Sequence, residues 1–67
     1  MKRYTLTTLY NLKAGDTFLK ENDDSEIVYE VSEVKSAYKG MLFVKKGELR
    51  LPDMLHRNQA VIFLKHK

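Results

Sequence analysis

A small all-β barrel is the fold this sequence predicts, on three observations. Five or six short apolar runs with strand-like alternation follow one another closely, turn residues divide them, and a stretch suited to one turn of 3₁₀ helix stands before the last run. A helical bundle is disfavoured, and a two-layer α+β fold is the alternative. With 67 residues the chain makes one domain, residues 1–67, and folding hides only about 60% of the surface that the unfolded chain exposes. There is no cysteine, so packing must stabilise the core without a disulfide or a Cys-ligated zinc.

Tyr4, Leu6 and Thr8 alternate with Arg3, Thr5 and Thr7, predicting a first strand with one face inward. LKAGDTF follows as a turn: Gly15 can take a positive φ, Asp16 can accept from a nearby backbone N–H, and Thr17-Phe18-Leu19 resumes extended chain. ENDDSE is a loop. IVYEVSEV places Ile27, Tyr29 and Val31 on one face, while Val34 falls on the other parity, so a bulge or bend near Ser32-Glu33 is expected to return it to the core. SAYKG is a turn, MLFVKK a strand, and Lys46-Gly47 a hairpin tip before Leu49 and Leu51. Pro52 is expected to stop that strand, PDMLHRN to make the 3₁₀ turn with Met54 or Leu55 inward, and AVIFLKHK to form the last strand. The expected core is Leu6, Leu12, Phe18, Ile27, Tyr29, Val31, Leu42, Val44, Leu49, Leu51, Val61 and Phe63.

LKAGDTF, VYEVSEV, the short turn and KGMLFVK are similar, in order, to small SH3-like barrels of the KOW type, above all to the N-terminal domain of the translation elongation factor P family. The likeness covers about residues 12–45 and is carried by Lys39-Gly40, two residues, Phe43-Val44 and a basic residue. It implies an SH3-like barrel, a scaffold that serves nucleic-acid and protein partners alike. In that family a modified lysine at the loop tip works in translation, and Lys39 holds the corresponding position. Ser36-Ala37-Tyr38 replaces the Pro-Gly that shapes the family's tip, and the family's other domains have no room here, so that role is not carried over.

The net charge is only +3, but its sign is segregated. Residues 21–34 carry Glu21, Asp23, Asp24, Glu26, Glu30 and Glu33 with no Lys or Arg, whereas both flanking segments are basic. One acidic loop beside a basic surface would favour a polyanion on one side and repel it on the other. A well-mixed solvated surface is the plain alternative.

Catalytic chemistry finds little support. His56 lies in an expected turn and His66 in a tail expected to fray, so neither suggests a triad. ENDDSE lacks the glycine and distal glutamate of an EF-hand, adjacent Asp23 and Asp24 point apart, and Gly15, Gly40 and Gly47 sit at separate turns instead of cradling a phosphate. The expectation is a protein that is not an enzyme, with no cofactor and no metal.

Two binding classes remain. If the first and last strands pair, Lys2 and Arg3 lie near Lys65 and Lys67, while Lys45, Lys46 and Arg50 form a second basic group and Lys39 adds to the loop beside Tyr38. Tyr4, Tyr10 or Tyr38 could stack on unpaired bases of RNA or DNA, each worth about 1–3 kcal/mol per base. Alternatively, with Val61 and Phe63 inward, Ile62 and Leu64 look out, as do Met41 and Phe43 opposite Leu42 and Val44, displaying an apolar interface for a protein partner or a homodimer. The segment Thr8 to Leu12 covering the last strand would satisfy the same surface. The longest apolar run, Ala60 to Leu64, is too short to span a bilayer and no signal-peptide core is visible, so no membrane association and a cytoplasmic location are expected.

Overall fold

The computed structural model describes residues 1–35 and 38–67. It is all-β: β1 (Leu6–Thr8), β2 (Asp16–Lys20), β3 (Tyr29–Val31), β4 (Met41–Lys46), β5 (Leu51–His56) and β6 (Ala60–His66), with one 3₁₀ turn at Leu9–Asn11. The strands pair antiparallel in a single sheet of order β1-β6-β2-β3-β4-β5. A sheet this short must curl to bury both halves of its apolar face, and the result is barrel-like. The 3₁₀ turn ties the β1 end of the sheet to the β5–β6 connection, because the Leu9 and Tyr10 N–H groups donate to the Gln59 and Arg57 carbonyls, both at 3.0 Å. The radius of gyration, 10.6 Å, is close to the roughly 11 Å of a compact chain this long.

Alternation dictates the core. Phe18, Tyr29, Val31, Val44, Val61 and Phe63 are buried, joined by Leu9 and Leu12 from the β1–β2 connection. Phe18 and Tyr29 are directly opposite one another in register and stack with ring centroids 5.4 Å apart. Ile27, Leu42 and Leu55 pack partly buried against this cluster.

Several expectations are corrected. The 3₁₀ turn follows β1 and does not precede the last strand; PDMLHRN belongs instead to β5 and the turn after it. Pro52 does not stop that strand, because β5 is an edge strand and the missing N–H costs no ladder bond there. Leu6 is 59% exposed while Leu9 is fully buried: Thr7 lies opposite the inward Val61, which turns Leu6 outward. Leu49 and Leu51 are 82% and 53% exposed: Leu49 lies in the hairpin turn at 47–50, and Leu51 is the first residue of the edge strand β5, beyond the packed centre. Val34 is also exposed; β3 ends at Val31, so no bend returns it to the core.

The bulge lies in β6 instead. Thr17 faces Lys65 and Phe18 faces Phe63, leaving Leu64 as the extra residue. After it the parity of β6 is reversed, and His66 falls opposite Asp16 on the inner side. The turn expected at SAYKG lies partly outside the described residues, at 36–37; its second half closes with the Met41 N–H donating to the Tyr38 carbonyl at 3.2 Å.

Candidate functional site

LKAGDTF builds the floor of the site. Gly15 has φ +92, and a Cβ there would stand 3.0 Å from His66 Cε1, so glycine supplies both the turn and the seat for the imidazole. Asp16 is buried. Its Oδ2 accepts from the Lys13 N–H at 3.0 Å, and its Oδ1 lies 2.7 Å from His66 Nδ1. The Lys67 N–H donates to the Gly15 carbonyl at 2.8 Å, so the last residues are held in the sheet and do not fray as expected.

Above this floor opens a cleft of about 590 Å³ lined by Arg3, Lys13, Lys65 and His66 on its polar side and by Met1, Phe63 and Leu64 on its apolar side, with Asn11 and Asp16 completing it. The first and last strands do pair, and Arg3 and Lys65 line the same cleft, while Lys2 and Lys67, expected beside them, do not. Asp16 is the only carboxylate in the lining, and it is already engaged by a backbone N–H and the imidazole. Tyr4 and Tyr10, 65% and 58% exposed, flank the lining residues Arg3 and Asn11 in sequence, and the Arg3 guanidinium lies 5.2 Å from the Tyr4 ring centroid.

The second basic group is organised differently. Lys65, Thr17, Glu30, Lys45 and Pro52 stand opposite one another in successive strands, forming one row across the outer face from β6 to β5. Glu30, whose side chain is 14% exposed, is the hub of this row. Arg50 Nη1 and Nη2 donate to its two carboxylate oxygens at 3.2 and 3.1 Å, Lys67 Nζ lies 3.4 Å from Oε1, and Lys45 Nζ lies 3.8 Å from Oε2. Burial pushes the Glu30 carboxyl up, but Arg50, Lys67 and Lys45 outweigh it and hold the group below its ordinary value of 4.5.

The expected site residues therefore separate. Arg3 and Lys65 line the cleft; Lys45, Arg50 and Lys67 gather on Glu30; Lys2, Lys39 and Lys46 are outside both, with no ion-pair partner among the described residues. Tyr38 and Lys39 are exposed on the connection into β4. Met41, Phe43, Ile62 and Leu64, named for a protein interface, are half-buried. Ile62 lies opposite both Leu6 and Leu19, forming an apolar row on the outer face of β1, β6 and β2. Lys13, His66 and Glu30 escaped sequence reasoning. Lys13 and His66 were within reach, since a turn closed by Asp16 must face whatever strand completes the sheet; Glu30 was hidden among the acids of its segment.

The acidic loop keeps to itself: Asp23 Oδ1 accepts from the Ser25 N–H at 2.9 Å, Lys20 lies 3.7 Å away, and the Ser25 hydrogen bonds lead in holding the Asp23 carboxyl below its usual range. No three His, Asp or Glu side chains gather in a metal-binding arrangement among the described residues, and no helix among them is long and apolar enough to cross a membrane. Set against protein-family models, curated proteins and solved structures, the chain gives no significant match in any of the three comparisons.

Proposed function

We propose that this chain is a non-catalytic binding module for single-stranded nucleic acid, RNA in the first place, working in the cytoplasm. The observation that carries this reading is the cleft of Arg3, Lys13, Lys65 and His66, whose only carboxylate is already engaged. Backbone phosphates fit the cations, and the exposed rings of Tyr4 and Tyr10 offer stacking surfaces for unpaired bases. The resemblance of LKAGDTF and KGMLFVK to SH3-like barrels of the elongation factor P type points the same way.

The test is a titration of labelled single-stranded and duplex RNA and DNA at two salt concentrations. Salt-sensitive binding that prefers single strands is expected, with Lys13→Gln and Lys65→Gln each weakening it across sequences and lowering the salt slope by about 0.7. Binding that is absent, or indifferent to both substitutions, overturns the reading. A protein contact is the second reading, favoured by the row Leu6, Ile62, Leu19. It predicts that Ile62→Glu abolishes a dimeric mass or a protein complex while leaving RNA binding intact.

A further inference from the structure

The cleft and the Glu30 cluster are not separate patches. Lys65 lines the cleft and also begins the outer row that runs through Thr17 to Glu30 and Lys45. Three strand spacings of about 4.8 Å separate Lys65 from Lys45, giving a basic track of about 14 Å from the cleft outward. In its middle, one carboxylate receives three cations.

We propose that Glu30 occupies a phosphate position on this track and acts as an internal competitor for nucleic-acid phosphates at Arg50 and Lys67. The proposal rests on the nucleic-acid reading above and adds a second anion site with its own brake. Arg50 meets both Glu30 oxygens with two N–H donors, the forked geometry that serves carboxylate and phosphate alike. Glu30 is anchored in the short strand β3 between β2 and β4, whereas the side chains of Arg50 and Lys67 are 43% and 57% exposed, one on a hairpin turn and the other just after β6. The cations can therefore turn toward an arriving phosphate while the carboxylate stays. Arg50 is held in the left-handed region, φ 52, so the backbone directs the guanidinium to this place at a conformational cost. Two neighbouring acids are placed differently: Asp23 is engaged with Ser25 and Lys20, and Asp24 lies in the turn beside it.

The test uses the same labelled single-stranded RNA. Glu30→Gln is expected to tighten binding several-fold and to steepen the salt slope by about 0.7, one more phosphate contact. Asp24→Asn makes the same change in net charge away from the track and is expected to alter affinity less than twofold. Adding Arg50→Gln to Glu30→Gln should cancel the gain. In the native background, Arg50→Gln and Lys67→Gln should change affinity far less than Lys13→Gln, because their charge is held by Glu30; this arm stands even where Glu30→Gln folds poorly. Glu30→Gln that binds no more tightly than Asp24→Asn, or Arg50→Gln that weakens native binding as much as Lys13→Gln, overturns the proposal and leaves the cleft reading in place. Absence of any salt-sensitive binding by the native protein removes both.

Discussion

The two carboxylates that organise the basic surface, Asp16 and Glu30, do opposite things with their charge. Asp16 spends it on a backbone N–H and an imidazole, leaving Arg3, Lys13 and Lys65 without a carboxylate of their own around the cleft. Glu30 spends it on Arg50, Lys45 and Lys67 and so holds back the cations nearest to it. Counting Lys and Arg therefore overstates what a polyanion would meet around Glu30 but not around the cleft. What matters is which partner has already claimed each charge.

The strongest way to break this contrast is to remove the frame both acids share. Phe18→Ala empties the centre of the core, where Phe18 is fully buried against Tyr29, and should cost about 3–5 kcal/mol, comparable with the whole stability of a small domain; chemical denaturation should find the variant largely unfolded. Asp16→Ala acts on one side only. It leaves the Lys13 N–H and the imidazole without their acceptor and should cost about 1–3 kcal/mol. Asp16→Asn keeps an acceptor oxygen and should recover part of that loss in the same denaturation series.

Gly15→Ala attacks the same corner through the backbone. The positive φ and the approach to His66 Cε1 together should cost about 1–2 kcal/mol and shift the His66 ring resonances in an NMR spectrum. The smallest effect on stability belongs to Glu30→Gln, about 1 kcal/mol at neutral pH for a network whose cations are half-exposed. Its pH dependence sharpens the comparison. Because the folded carboxyl is the stronger acid, its contribution is complete above the ordinary value of 4.5 and is lost as the pH falls through the lower folded value. The difference in thermal midpoint between native protein and Glu30→Gln should therefore be present at pH 7 and shrink as the pH is taken well below 4.5.

Local rules carried reading of the sequence a long way where they act alone. The alternation in IVYEV and MLFVKK placed Tyr29, Val31 and Val44 inside, and LKAGDTF announced a turn with glycine in the left-handed region and aspartate closing it. The same rules failed where a neighbour held the deciding vote. Leu6 faces outward against the role that periodicity assigns it because the register of β1 against Val61 sets the parity. Pro52 continues a strand because β5 happens to be an edge.

By itself the sequence determined an all-β chain of short strands, the identity of most core residues and the segregation of charge, because each follows from side-chain period, turn chemistry or counting. Only the tertiary structure decided that a bulge at Leu64 turns His66 onto Asp16, and that Glu30 alone among the acids of its segment gathers Arg50, Lys45 and Lys67. Both depend on register between strands distant in sequence, and register is a property of the assembled sheet: shifting it by one residue exchanges the two faces of a strand while leaving its local sequence untouched.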